Sequence, residues 1–198
     1  FTQKTYPNDG RPIVRIEIAN DNAIFVTMGT DLWRSTNQGT TWQNMTLGIE
    51  ENVNDVALNS SDNVFIATSN GVYRSQNKGV TWTYSKLHYK DIDSIGVSKI
   101  NINADNVIHV IGNIPRSLAI AYGLWRSTDN GITWDSLYSD LTSSFFLDLA
   151  SDAESNLYYV STSMFKHLNP TQMAVPANIE PENYQKAATL SQTFKWSS

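Results

Sequence analysis

Apolar and polar positions alternate along this chain in short runs, and the runs recur in a fixed order. Val14-Arg15-Ile16-Glu17-Ile18, Asn54-Asp55-Val56-Ala57-Leu58, Ser98-Lys99-Ile100-Asn101-Ile102 and Phe146-Leu147-Asp148-Leu149 come first in four successive units. Their period of two predicts a strand with one buried face. A polar turn follows each, closing on Asn22, Asn63, Asn106 and Asn156, and asparagine tolerates the left-handed backbone that ends a tight turn. A second, more apolar strand is expected at Ile24-Phe25-Val26, Val64-Phe65-Ile66, Val107-Ile108-His109-Val110 and Leu157-Tyr158-Tyr159-Val160. A third reads Leu32-Trp33-Arg34-Ser35, Val72-Tyr73-Arg74-Ser75 and Leu124-Trp125-Arg126-Ser127, and a fourth opens at Thr41-Trp42, Thr81-Trp82 and Thr133-Trp134.

Four antiparallel strands per unit, repeated at a spacing of 40 positions from Gly39 to Gly79 and 52 from Gly79 to Gly131, predict an all-β fold, a β-propeller of four-stranded blades. Three blades are complete. The fourth is partial: Met164-Phe165-Lys166-His167 stands in the place of a third strand, and no Gly-Thr-Trp follows. Phe1 lies 15 positions before Ile16, as Trp42 lies 14 before Val56, so Phe1 occupies the place of a fourth-strand aromatic. Two architectures remain open, a closed four-bladed ring and a segment of a larger propeller; a segment leaves pairing edges to be covered by the rest of its polypeptide or by another chain.

The connection between third and fourth strands carries a sequence phrase of its own: Ser35-Thr36-Asn37-Gln38-Gly39-Thr40-Thr41-Trp42, then Ser75 through Trp82, then Ser127-Thr128-Asp129-Asn130-Gly131-Ile132-Thr133-Trp134. It resembles the Asp-box, or BNR repeat, of sialidase, sortilin and xyloglucanase-type propellers. Only the third copy has the family's aspartate, at Asp129; Asn37 and Asn77 replace it in the others. The resemblance implies a structural hairpin at the periphery, away from the ligand face. In it Ser35, Ser75, Ser127 and the Asx residues would bond the turn, reaching N–H groups a residue or two ahead. Gly39, Gly79 and Gly131 would supply positive φ, and Trp42, Trp82 and Trp134 would cover the hairpin.

Residues 1–168 are assigned to the propeller. From Asn169 the pattern breaks into Pro170-Thr171-Gln172-Met173-Ala174-Val175-Pro176, which reads as a linker, and Thr189 through Trp196 alternates again. Residues 169–198 resemble the opening strands of a fibronectin type III or immunoglobulin-like module. Such a sandwich needs about 100 residues, which implies a larger multidomain parent; a chain opening on Phe1 is expected to be processed or a fragment.

Composition narrows the function. With 14 Lys and Arg against 19 Asp and Glu, the net charge of −5 and the absence of any basic run argue against nucleic acid as a partner. There is no cysteine in the 198 residues, which excludes disulfides, thiolate metal sites and cysteine nucleophiles. No apolar run approaches the ~18 residues of a membrane helix. His88, His109 and His167 are scattered, so neither a metal site nor a cofactor is expected, and His109 reads as a packed strand residue.

A sialidase would need an arginine triad and a Tyr–Glu pair, but Arg34, Arg74 and Arg126 sit at one repeated position and read as scaffold. Other glycosidases need two facing carboxylates; Glu50, Glu51, Asp91, Asp93 and Asp140 are the candidates. Connection length gives a better clue. Trp82 to Ile100 spans 18 positions against 14 for Trp42 to Val56, and Asn106 to Leu124 spans 18 against 10 and 9 in the first two units. Both enlargements fall on one face and bring His88, Tyr89, Lys90, Asp91, Asp93, Arg116 and Tyr122 toward one region, a pattern suited to ligand recognition. The sequence therefore predicts a secreted or cell-surface bacterial propeller without catalytic residues, binding a glycan or a protein. A glycoside hydrolase propeller and a purely architectural spacer of an adhesin are the alternatives.

Overall fold

Fifteen strands follow one another in the computed structural model, which describes residues 12–46, 48–92, 95–115, 120–141, 146–161 and 165–168. They are β1 (Ile13–Ile18), β2 (Ile24–Met28), β3 (Asp31–Ser35), β4 (Gln43–Asn44), β5 (Val53–Leu58), β6 (Val64–Thr68), β7 (Gly71–Ser75), β8 (Thr83–Ser85), β9 (Gly96–Ile102), β10 (Ile108–Pro115), β11 (Ile120–Ser127), β12 (Asp135–Leu141), β13 (Phe146–Ser151), β14 (Leu157–Ser161) and β15 (Phe165–Leu168). Consecutive strands pair antiparallel into three four-stranded sheets and one three-stranded sheet, β13-β14-β15. No helix occurs among the described residues. The predicted all-β propeller architecture is the observed one, blade by blade. The fourth blade shows its third strand at Phe165–Leu168; the expected linker and second module at 169–198 lie outside the described residues.

The first strands of neighbouring sheets lie side by side, and apolar layers fill the spaces between sheets. Phe25, Leu32, Val56, Val64 and Ile66 close the first interface, with Tyr73 and Trp82 packed against them. Phe65, Leu87, Ile95, Val97, Ile100, Val110 and Trp125 form the second. Ile111, Leu124, Leu149, Leu157 and Tyr159 form the third. Burying one such side chain stabilises by roughly 1.5–3 kcal/mol, so the alternation read from sequence is the source of the stacking. The second interface needs a close approach: a Cβ on Gly112 would lie 2.5 Å from Trp125 Cζ3 and 2.7 Å from Ile95 Cγ2. Glycine there leaves room for the indole.

One position of the first strands carries charge of alternating sign: Arg15, Asp55, Lys99, Asp148. The first three reach toward the next sheet. Arg15 Nε lies 3.7 Å from Asp55 Oδ1 and Lys99 Nζ 3.9 Å from Asp148 Oδ1. Asp55, buried, accepts the N–H of Ile100 at 3.2 Å across the interface and that of Val56 at 2.9 Å. Burial pushes its carboxyl pKa up, against the pull of the Ile100 and Val56 N–H groups, Arg15 and Lys99.

Two local expectations are corrected. The left-handed residue of the first turn is Asn22 and Asn106 as expected, but Asp62 and Ser155 in the second and fourth units, one position before Asn63 and Asn156. What shapes the turn is the residue at its start. Asn59 Oδ1 accepts from Ser61 N and Asn63 N, Asn103 Oδ1 from Asp105 N and Val107 N, and Asp152 Oδ1 from Glu154 N and Asn156 N, at 2.8–3.1 Å. A side chain bonded two and four residues ahead closes the loop before the next strand can pair.

In the third-to-fourth-strand hairpin the Asx side chain also reaches farther than expected. Asn37 and Asn77 Oδ1 accept from Thr41 N and Thr81 N, four residues ahead, at 2.8 Å. Ser35 and Ser75 hydroxyls accept from Gly39 N and Gly79 N. Asp129 repeats this with Ile132 N, Thr133 N and the Ser127 hydroxyl. Although its burial alone would raise the Asp129 pKa, the bonds from Thr133, Ser127 and Ile132 hold it at about 2. Two consecutive left-handed residues make each tip: Gln38-Gly39, Lys78-Gly79 and Asn130-Gly131.

Candidate ligand face

The hairpin tips belong to the joints between blades. Trp82 Nε1 donates to Met45 O at 2.7 Å, and Trp134 Nε1 to Ser85 Oγ at 2.8 Å. Each bond crosses to the fourth strand of the preceding blade, or to its end. Ser85 Oγ in turn donates to Gly131 O, and Arg74 Nη1 to Asn130 O at 2.9 Å. The tryptophans therefore do more than cover their own hairpins; they clasp consecutive sheets. The neighbouring first turns join in. Asn20 N donates to Asp62 Oδ1, Ser60 N to Asn106 Oδ1 and Asn59 Nδ2 to Asn130 Oδ1, all at 2.8–3.0 Å. Lys78 pairs with Asp21 and Asp62. On this side polar groups of neighbouring blades bond to one another.

The opposite side is formed by the second-to-third-strand turns and the connections entering each blade. Here the third-strand aromatic ties down the incoming connection. Trp125 Nε1 donates to His88 O at 3.3 Å, and Tyr73 Oη to Glu51 Oε2 at 3.0 Å. Asn70 Nδ2 approaches Glu51 Oε1 at 3.4 Å. Burial first, then Glu51, pushes the Tyr73 phenol pKa up to about 12. The Tyr84 ring lies 5.1 Å from that of Tyr73 at an interplanar angle of 51° and is 39% exposed. Gly71, at φ +102°, makes space for it, since a Cβ there would meet Tyr84 Cε2 at 2.9 Å. Glu51, Asn70, Tyr73 and Tyr84 thus make a polar and aromatic patch where the second blade meets the first.

Of the residues singled out by connection length, His88, Tyr89 and Asp91 share one short segment between the second and third blades. Buried Leu87 and Ile95 flank it, and a Tyr89–Ile92 bridge closes a turn within it. His88 and Asp91 are exposed, Tyr89 packs partly on the core, and Lys90 Nζ sits 5.2 Å from the Tyr89 ring centroid. Tyr122 does not join them. The enlarged connection is an extension of the β10–β11 ladder, with Tyr122 paired to Asn113, and Tyr122 packs on the third interface, whereas Trp125 packs on the second. The third sheet separates it from Tyr89. Asp93 and Arg116 lie outside the described residues.

Tyr73, Tyr84 and Asn70 were not singled out from sequence. The available signal was the tyrosine at 73, where the first and third units carry tryptophan. His109 is buried as expected, 2% exposed, with Nδ1 lacking a hydrogen-bond partner; desolvation, then Arg126, brings its pKa down to about 4. Among the described residues no group of three His, Asp or Glu side chains is placed to hold a metal.

The family model Sortilin-Vps10, described as sortilin, neurotensin receptor 3, matches residues 30–179. The chain belongs to the Sortilin-Vps10 family. No curated protein matches its sequence. Among solved structures it is similar to the extracellular domain of the one-component system BT4673 from B. thetaiotaomicron, at TM-score 0.67 and 12% identity over 86% of this chain and 22% of that one. An ancestral GH74 enzyme gives TM-score 0.63 and 16% identity over 82% and 23%. YCF48 bound to D1 peptide gives TM-score 0.60 and 17% identity over 81% and 50%. This family member spans between about a fifth and a half of those chains, and at these identities the likeness is one of fold. No helix among the described residues is long and apolar enough to cross a membrane.

Proposed function

We propose that this Sortilin-Vps10 family chain is a binding and scaffold segment of a secreted or cell-surface bacterial protein, without catalytic residues, recognising a glycan or a protein. The observation that carries the reading is the asymmetry between its two sides. On the hairpin side the polar groups bond neighbouring blades to one another. The opposite side offers the exposed ring of Tyr84 beside Glu51, and exposed His88 and Asp91 beside Tyr89. Aromatic area with a few placed polar groups on a rigid scaffold suits recognition. Its partners would be that ligand and the remainder of the polypeptide, with no nucleic acid and no inserted membrane segment.

A hydrolase reading has one observation in its favour, the Tyr73–Glu51 pair at 3.0 Å. Its position weighs against it. The same third-strand site in the next blade holds Trp125, bonded to the next incoming connection, so the pair repeats a structural tie. The two readings, and that of a bare spacer, separate in one experiment: glycan-array and peptide-display binding, with turnover assays on each captured ligand. Tyr84→Ala, and separately the pair His88→Ala and Asp91→Ala, should weaken a captured ligand about tenfold or more, roughly 1.4 kcal/mol per factor of ten. Thr81→Ala on the hairpin side should leave binding unchanged. Hydrolysis that Glu51→Gln abolishes would transfer the function to the enzyme reading, and absence of any ligand would favour the spacer.

A further inference from the structure

The second blade departs from its neighbours at one place on the side opposite the hairpins. The cross-strand pair that is Trp33–Asn44 in the first blade and Trp125–Ser136 in the third is Tyr73–Tyr84 in the second. The incoming connection differs with it. Trp125 donates to a neutral backbone carbonyl, that of His88, whereas Tyr73 donates to the Glu51 carboxylate. Glu51 stands four positions before Asp55; four before Lys99, the third unit has the buried Ile95. The third blade therefore makes the same tie without a charge, and the carboxylate of Glu51 and the ring of Tyr84 are additions to it. Glu51 accepts from two neutral donors, Tyr73 Oη at 3.0 Å and Asn70 Nδ2 at 3.4 Å, and a carboxylate offers about four lone-pair sites. Glu50, beside it, is exposed. Among the described residues no lysine or arginine pairs with either glutamate.

We infer that this patch takes an arginine side chain of a protein ligand, its guanidinium stacked on the Tyr84 ring and donating to the Glu51 carboxylate. The inference rests on the binding reading above and names the chemistry of its ligand. A guanidinium is planar, weakly hydrated and permanently charged; it stacks on aromatic faces and presents a fork of N–H groups that matches a carboxylate. The tilted Tyr73 and Tyr84 rings, with Gly71 making the room, set one aromatic face beside that carboxylate. A lysine ammonium is a compact, strongly hydrated point charge and matches the pair less well. A neutral glycan would stack on Tyr84 and leave the Glu51 charge without a partner. An acidic glycan would be repelled by Glu50 and Glu51 and by the net charge of −5.

Fluorescence polarisation with the 198-residue chain tests this. The probes are labelled glycine–serine peptides carrying two arginines, two lysines or two citrullines, citrulline being the uncharged analogue of arginine. The arginine peptide should bind about tenfold or more tightly than the citrulline peptide, the difference supplied by a charge-assisted bond to the carboxylate, and more tightly than the lysine peptide. Tyr84→Ala and Glu51→Gln should each weaken it about tenfold, while Tyr84→Phe, which keeps the ring, should bind as the parent does. Glutamine can still accept from Tyr73, so the tie to the connection is kept. Asp105→Asn, which removes an exposed carboxylate in a first turn on the hairpin side, should change nothing. A loss there equal to that of Glu51→Gln would reduce the effect to bulk charge and overturn the inference. So would failure of the arginine peptide to bind, or equal binding of the arginine and citrulline peptides. A glycan captured on the arrays that needs Tyr84 and is indifferent to Glu51→Gln would also overturn it, while leaving the binding function itself standing.

Discussion

Trp125→Ala is expected to cost about 3–5 kcal/mol of folding stability, the range for truncating a large buried aromatic. The indole is 0% exposed in the layer between the second and third blades, and its Nε1 holds the connection that carries Tyr89. Alanine opens a cavity against Ile95 and Gly112 and releases that connection. The reciprocal change should also destabilise: Gly112→Ala places a methyl 2.5 Å from the indole, an overpacking of about 1–3 kcal/mol. Because the two changes act on one space, they should be non-additive, with the double variant less impaired than the sum. Urea unfolding of the four proteins checks this. An additive pair would mean that the close approach does not limit packing there.

The second large effect is acid sensitivity from His109. Its folded pKa, about 4, lies below the ordinary 6.5. Above pH 6.5 the imidazole is neutral in both folded and unfolded chains, so its contribution is complete. As pH falls below 6.5 the unfolded chain takes up a proton that the folded chain refuses, and stability drops by about 1.4 kcal/mol per pH unit until the folded group titrates near pH 4. The loss is about 3 kcal/mol in total. Asp129, with its pKa near 2, loses its contribution only as pH falls from about 3.8 toward 2, which leaves the two windows apart. The positions equivalent to His109 in the first two blades are Phe25 and Phe65, each cross-strand from an arginine as His109 is from Arg126. His109→Phe should therefore remove the loss between pH 6.5 and 4. Unfolding free energies at pH 7 and pH 4.5 read the difference; an unchanged pH slope in the variant would contradict the assignment.

Much of the architecture was legible because each blade repeats a two-residue alternation and a glycine–tryptophan hairpin, and both are local. Strand order and the buried state of His109 follow from them. The joints were not legible. Trp82 bonding Met45, and Arg74 bonding the tip at Asn130, join residues 37 and 56 positions apart, and nothing in the spacing of either unit announces its partner. The candidate face was legible in part. Connection length pointed to one region for His88, Tyr89, Asp91 and Tyr122; the first three share a segment, while Tyr122 lies in the β10–β11 ladder because the extra residues lengthened that ladder. It missed Tyr84, whose exposure depends on Gly71 and Tyr73 across the sheet.

The central claim is that the repeated tryptophan hairpin holds one blade to the next. A double-mutant cycle between Trp134→Phe, which keeps the ring and loses the Nε1 donor, and Ser85→Ala tests it directly in urea unfolding. The account predicts a coupling of about 0.5–3 kcal/mol, the range for residues in one hydrogen-bond network. Additive single effects, with no coupling across the second and third blades, would contradict it.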